Sequence, residues 1–121
     1  LQAAITRFSS LGLKVQITEL DISIYPWEKN RRARRPGEED VLTPELEKRQ
    51  ADQYKMVFSI FRRNAVNPAG GRGCINGVTF WNLSDKYTWL DNYPVPGRKN
   101  YPLLFDTNGR PKKAFWEVID F

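Results

Sequence analysis

The sequence predicts an α/β fold built on a parallel sheet, and three observations support that prediction. Residues 14–21 and 74–81 are short segments rich in β-branched and aromatic side chains, which favours strands. A long segment with apolar residues at helical spacing lies between them, and shorter helical patterns open and close the chain. Strands that alternate with helices usually pair in parallel through right-handed crossovers.

The three helices have recognisable boundaries and apolar faces. The first is predicted over residues 1–10, which Gly12 follows, from the i, i+3, i+4, i+7 stripe of Leu1, Ala4, Ile5 and Phe8. The middle helix follows a long loop, residues 22–42, and begins at Thr43 and Pro44, residue types suited to the N-cap and first position. Its aromatic stripe is predicted to be core. Pro111 opens the last helix, whose predicted buried stripe is Ala114, Phe115, Val118 and Ile119.

Two carboxylates, Glu19 and Asp21, end the first strand. Because side chains alternate along a strand, we expect both to share a face with Val15 and Ile17. A carboxylate at the end of a buried strand is costly unless it is paired or used, and barrels of parallel strands carry catalytic groups at that end. The sequence therefore suggests that Glu19 is a reacting carboxylate and that Asp21 belongs to its network. An ordinary strand running out into a polar loop is the alternative.

The composition limits what this chain does unaided. Its 121 residues fit one domain, and we expect no second domain. The absence of histidine excludes Ser-His-Asp and Cys-His catalysis and most zinc sites, and the single Cys74 excludes an intrachain disulfide. No apolar run is long enough to span a bilayer, and the first residues lack a signal-peptide pattern, so we expect no membrane partner. The chain also begins without Met and within a helical pattern. We therefore expect that its first residue lies in the middle of a helix.

Two further sequence patterns resemble anion-binding sites, but neither meets the requirements of such a site. The net charge of +5 comes largely from a basic run at residues 29–35, which is compatible with a nucleic-acid patch. Acidic residues flank the run and no aromatic residue lies within it, so we expect a solvated loop and no nucleic-acid partner. The glycines of residues 67–73 lack the spacing and the Lys-Ser/Thr of a nucleotide-binding loop, so a phosphate site there is rejected.

Five motifs, in one order, carry a family resemblance. They are ITELD at 17–21, GVTFW at 77–81, SDKYTWL at 84–90, PLLFD at 102–106 and PKKAF at 111–115. Together they closely resemble the carboxyl-terminal part of family 10 glycoside hydrolases, endo-β-1,4-xylanases with a (β/α)8 barrel, and the similarity runs over residues 11–121. The resemblance implies that residues 1–121 are the carboxyl-terminal segment of such a barrel, with about two β/α units.

The resemblance also implies roles for four residues. Glu19 falls on the nucleophile of a retaining double displacement, and Asp21 on the residue that supports it through a hydrogen-bond network. Trp81 and Trp89 fall on the two indoles that line the sugar site next to the scissile bond. The implied substrate is xylan or a xylo-oligosaccharide, with no cofactor and no metal, and the implied location is secreted or periplasmic.

The chain departs from the family pattern in two respects. Asn82 stands where the family usually has Gly, which puts the shape of the sugar subsite in doubt. The family's acid/base is a Glu that follows Asn on an earlier strand, and a His contacts the nucleophile. This chain has neither an Asn-Glu pair nor a His. We therefore expect an inactive isolated chain that needs the amino-terminal part of the barrel or associates with itself. The alternatives are a non-catalytic carbohydrate-binding or scaffold fragment, or another barrel glycosidase such as a cellulase.

Overall fold

The computed structural model describes residues 1–66 and 73–120 and confirms the predicted order of helices and strands. Helix α1 spans Gln2–Ser10, strand β1 Val15–Leu20, helix α2 Pro44–Arg63, strand β2 Ile75–Phe80 and helix α3 Lys113–Ile119. Two single 3-10 turns, Asp85–Tyr87 and Trp89–Asp91, lie after β2. Most of the glycine-rich segment that was rejected as a phosphate loop, residues 67–72, lies outside the described residues.

The two strands pair in parallel, as the alternation of elements predicts. Val15 is opposite Ile75, Ile17 is opposite Val78 and Leu20 is opposite Phe80, with α2 in the connection. Both strands therefore end at the same edge of the sheet, where the long loops begin. Within the described ranges the sheet has these two strands alone, so it is not a closed barrel.

The prediction that Glu19 shares a face with Val15 and Ile17 is wrong. The register between β1 and β2 shifts between Ile17 and Leu20, and Glu19 has a φ of 57°. This bulge adds one residue to the strand, so Leu20 takes the half-buried position and Glu19 becomes exposed. A bulky residue with positive φ is uncommon, and such strain concentrates at functional sites.

Helix α2 begins as the sequence predicts. The Thr43 hydroxyl accepts a hydrogen bond from the Leu46 N–H at 3.3 Å, which satisfies one of the free donors of the first turn. The aromatic stripe of α2 is core: Tyr54 and Phe61 are buried, and Phe58 packs between them. The Tyr54 hydroxyl donates to the Pro102 carbonyl at 2.6 Å, so α2 also fixes the loop after β2.

Two apolar clusters hold the elements together, and α2 contributes to both. One contains Ile5, Phe61, Cys74 and Ile75, and the other Ala51, Tyr54, Leu104 and Ala114. Leu20 packs against both clusters, which ties the end of β1 to the core. The outer helices are less buried than predicted: of the predicted stripe of α1 only Ile5 is buried, and Ile119 of α3 is exposed.

Candidate functional site

The carboxyl edge of the sheet brings three of the four predicted site residues together through the backbone. The Trp81 N–H donates to the Leu20 carbonyl at 3.1 Å, so Trp81 lies beside the segment that carries Glu19 and Asp21. Glu19 is exposed and lies on the bulge, while its neighbours Ile17 and Leu20 pack towards the helices. The Trp81 ring is 47% exposed, which leaves an aromatic surface at this edge.

Asp21 is tied to the fourth residue by a direct hydrogen bond. The Trp89 indole Nε1 donates to Asp21 Oδ2 at 2.8 Å, across 68 residues of sequence. Partial burial raises the pKa of Asp21 above its ordinary value, and the hydrogen bond from Trp89 opposes that rise by stabilising the carboxylate. The sequence grouped these two residues only through the family resemblance, and no local pattern indicates that they touch.

Three rings continue outwards from Asp21 and form what we call the aromatic run: Trp89, Tyr93 and Trp27. Trp89 and Tyr93 stack with centroids 5.6 Å apart and an interplanar angle of 18°. Trp27 lies against Tyr93 at 6.1 Å in a tilted arrangement and is 69% exposed. The structure places it at the outer end of a ring surface that begins at Asp21.

The loop of residues 22–42, which we call the strap, is fastened to the loop after β2. The Tyr93 hydroxyl donates to the Lys29 carbonyl at 3.0 Å, and the Arg32 N–H donates to the Pro94 carbonyl at 3.1 Å. The Tyr93–Pro94 peptide bond is cis. Deeper in the molecule, the Asn100 side chain accepts from the Ile24 N–H. These contacts explain how a long irregular segment holds Trp27 against Tyr93.

Four charged side chains form an ion-pair network that joins the strap to the loop after β2. The prediction of a solvated basic loop is therefore wrong for Arg32. Its guanidinium contacts Glu28 at 2.5 Å and Glu38 at 2.7 Å, and the buried Arg98 contacts the same two carboxylates at 3.1 and 2.6 Å. Hydrogen bonds from Arg32 hold the pKa values of Glu28 and Glu38 below their usual range. Arg98 also lies over the ring of Tyr25 at 3.9 Å.

A buried ion pair supports the loop that carries both indoles, and no local sequence pattern indicates it. Asp85 follows Trp81 in that loop, and its Oδ2 lies 2.8 Å from Nζ of Lys112, with both residues buried. Lys112 also donates to the carbonyls of Tyr101 and Leu103, and Asp85 accepts from the Leu103 N–H. All the polar groups of the pair are therefore satisfied.

Asn82, the departure from the family pattern, is used within its own loop. Its Nδ2 donates to the Tyr87 carbonyl, and its Oδ1 accepts from the Leu83 N–H at 2.8 Å. The side chain therefore braces the turn between Trp81 and Trp89. Among the described residues there is no His/Cys/Asp/Glu group suited to a metal, and no helix there is long and apolar enough to cross a membrane.

Comparison with known proteins agrees with this geometry. The model of glycosyl hydrolase family 10 matches residues 1–121. The chain belongs to glycosyl hydrolase family 10. A family 10 relative from Geobacillus stearothermophilus, an endo-1,4-beta-xylanase, is 43% identical over 99% of this chain and 33% of its own length. A beta-1,4-xylanase from Dictyoglomus thermophilum is 46% identical over 100% of this chain and 31% of its own.

Solved structures of family 10 proteins have the same fold over this segment. An endo-1,4-beta-xylanase from Caldicellulosiruptor owensensis is similar with a TM-score of 0.78 and 46% identity, over 99% of this chain and 33% of that one. A mutant protein in complex with xylotriose is similar with a TM-score of 0.79 and 47% identity, over the same shares. The chain thus spans about a third of these family 10 proteins, and the predicted portion of a (β/α)8 barrel is confirmed. The roles of Glu19, Asp21, Trp81 and Trp89 stay predictions.

Proposed function

We propose that this chain supplies the nucleophile half of the active site of a retaining endo-β-1,4-xylanase. The observation that carries the proposal is the bulge at Glu19, which turns an acidic side chain out of the sheet at the edge where Trp81 and Asp21 lie. Glu19 attacks the anomeric carbon of a xylose unit and forms a glycosyl-enzyme intermediate, which water then hydrolyses. Asp21, held by Trp89, is a positioning residue behind it.

The second carboxyl group of the reaction comes from outside this chain. A retaining glycosidase needs two carboxyl groups about 5–5.5 Å apart, one to attack and one to protonate the leaving oxygen and later activate water. The family places the second group on a Glu after Asn, and that pair is absent from this sequence. The isolated chain is therefore inactive in our proposal, because no acid/base faces Glu19.

The unpaired edges of the described sheet indicate how the chain is completed. β1 and β2 pair with each other, which leaves one edge of each strand without a strand partner among the described residues. Exposed edges of parallel strands invite pairing with another segment. The partner is the amino-terminal part of a barrel or, in its absence, another copy of this chain. Sedimentation of the purified chain as a monodisperse monomer with a cooperative melt would count against this.

Complementation tests the proposal. The 121-residue chain is mixed or fused with the segment of the Dictyoglomus thermophilum relative that precedes its matching third, and hydrolysis of an aryl xylobioside is measured. We expect turnover by the complemented protein with retention of anomeric configuration, none by either part alone, and none with Glu19→Gln. Glu45→Gln, which makes the same change at an exposed position of α2, is the control and keeps activity.

Each other outcome identifies an alternative. Turnover by the purified chain alone, abolished by Glu19→Gln, would overturn the half-site proposal. Xylo-oligosaccharide binding through Trp81 and Trp89 without turnover after complementation would favour a non-catalytic carbohydrate-binding or scaffold fragment. Faster hydrolysis of an aryl cellobioside than of the xylobioside would favour a cellulase.

A further inference from the structure

A shallow depression lies where the strap meets the turn after Tyr93, and its lining is basic. Its volume is about 540 Å³, and it is lined by Arg31, Arg32, Ala33, Arg34 and Pro96. Three guanidinium groups thus border one depression, and no carboxylate-bearing residue is among its lining residues. A second depression on the strap has a mixed lining that includes Glu38, Glu39 and Asp40.

Two of the three arginines are already engaged and hold the rim in place. Arg32 is shared between Glu28 and Glu38. Arg34 donates to the carbonyls of Glu38 and Gly97, so it joins the strap to the turn that carries Pro96. Neither side chain has a free fork to offer to a ligand. Arg34 also pairs with Asp40 at 3.1 Å. The carboxylates offset the charge of both arginines, so their contribution is a fixed backbone.

Arg31 is the side chain that remains available. It is exposed and makes no hydrogen bond or ion pair with any residue in the described ranges. A guanidinium presents parallel N–H donors that match the two oxygens of a carboxylate. An anion in the depression would therefore meet the unpaired guanidinium of Arg31, held at a rim that the engaged arginines fix in place.

Backbone contacts connect the depression to the segment that carries the aromatic run. The Arg32 N–H bonds the Pro94 carbonyl, and Pro94 follows Tyr93, whose ring lies between Trp89 and Trp27. Trp27 precedes Arg31 by four positions and exposes about two thirds of its surface. The outer end of the aromatic run and the basic rim of the depression are therefore carried by the same two segments, the strap and the turn after Tyr93.

We propose that the depression around Arg31 binds a carboxylate carried by the polysaccharide, so that the chain prefers xylan that bears uronic-acid substituents. The inference rests on the proposed function, because it assumes that xylan lies along the aromatic run. Arg31 pairs with the carboxylate, and Trp27 packs against the sugar that carries it. The occupant is an acidic sugar and not a nucleic acid, because the ring surface adjoins the depression whereas the basic run itself contains no aromatic residue.

The test compares two ligands with the same number of xylose units, one neutral and one with a single uronic-acid substituent. Affinities are measured by calorimetry or NMR titration for the complemented protein of the previous experiment, with Glu19→Gln so that the ligand is not cleaved. We expect the acidic ligand to bind about three- to tenfold tighter, as for one exposed, charge-assisted Arg–carboxylate pair. Arg31→Gln should abolish the preference and Arg31→Lys should keep part of it. The preference should shrink as NaCl is raised.

Arg7→Gln is the matched control, because Arg7 is exposed on α1 and its guanidinium has no hydrogen bond or ion pair within the described residues. It removes the same charge and should leave the preference unchanged. Equal affinities for the two ligands would overturn the inference while leaving the proposed function in place. An equal loss in Arg7→Gln, or displacement of the acidic ligand by an equimolar RNA oligonucleotide, would also overturn it. Failure of both ligands to bind would count against the inference and the proposed sugar site together.

Discussion

The indole of Trp89 donates a 2.8 Å hydrogen bond to the carboxylate of Asp21 at the edge of the sheet where both strands end. The bond joins the residue after β1 to the loop after β2. One face of the same indole stacks on Tyr93, so the ring is fixed both at its N–H and on its face. Asp21 therefore has a donor within this chain, although the histidine expected from the family resemblance is absent.

Trp89→Phe should raise the pKa of Asp21 further above its ordinary value. The substitution removes the indole N–H that stabilises the carboxylate but keeps a ring to stack on Tyr93. Burial, which raises the pKa of Asp21, is then no longer opposed by that hydrogen bond. The measurement is an NMR titration of the Asp21 carboxyl carbon. Trp81→Phe is the control, because the Trp81 indole makes no hydrogen bond with the described residues and its loss should leave the titration unchanged. An unaltered titration in Trp89→Phe would show that the hydrogen bond is not formed in solution.

Asp21→Asn should stabilise the fold at neutral pH. The pKa of Asp21 is raised on folding, so the ionised group costs stability above the folded pKa, and that cost fades as the pH falls towards the ordinary value of 3.8. Because Asp21 is only half-buried, we expect a gain below about 1 kcal/mol. Urea unfolding at about pH 7 and about pH 3.5 checks this. A gain of the same size at both pH values would contradict the linkage to ionisation.

Local patterns predicted the elements of this fold well, because the signals that define them are local. The N-cap at Thr43 and the periodic aromatic residues of α2 act within a few residues of sequence, and the structure confirms them. The bulge at Glu19 was missed because alternation is the default for a strand and no glycine marks the positive φ. Strand composition alone therefore placed Glu19 on the wrong face.

The sequence failed most clearly for charged residues whose burial depends on distant partners. Lys112 follows the Pro111 that opens the predicted last helix and precedes its apolar stripe, yet it is buried against Asp85, 27 residues away. Arg98 was an unremarked loop residue, yet it is buried among carboxylates of the strap. The charge of a side chain gives no indication that a counter-charge and backbone carbonyls will surround it. Such pairs become visible only when the loops are assembled.

Lys112→Met should destabilise the protein by about 3–5 kcal/mol. Methionine keeps most of the apolar stem but leaves Asp85 buried without its cation. Burial raises the pKa of Asp85, and loss of the ion pair removes the interaction that opposes this rise. The deficit should therefore be largest at neutral pH and smaller as the pH falls and Asp85 becomes protonated. Urea or thermal unfolding measures both effects.

The neighbouring Lys113 provides the control for that experiment. Its Nζ lies 3.5 Å from Glu47 at an exposed position, and such pairs contribute little. Lys113→Met should change stability by less than about 0.5 kcal/mol. Similar losses from both substitutions would mean that a general charge effect, and not the buried pair, supports the loop between Trp81 and Trp89.

Arg98→Gln should release the strap and expose it to proteolysis. Arg98 is 5% exposed and contacts both Glu28 and Glu38 of the strap. Its removal leaves these carboxylates with Arg32, itself a strap residue, as their ion-pair partner among the described residues. We expect trypsin to cleave the strap at its exposed basic residues about tenfold faster, because cleavage follows the population of locally open chain. Raising NaCl should accelerate cleavage of the unsubstituted chain by less than the Arg98→Gln substitution does, since salt screens the buried side of the network poorly.

Arg110→Gln, which breaks only the exposed 3.5 Å contact with Asp106, is the control and should leave the cleavage rate unchanged. Equal cleavage rates in Arg98→Gln and the unsubstituted chain would show that the backbone contacts at Lys29 and Pro94 hold the strap, and Trp27 with it, without the help of the ion-pair network.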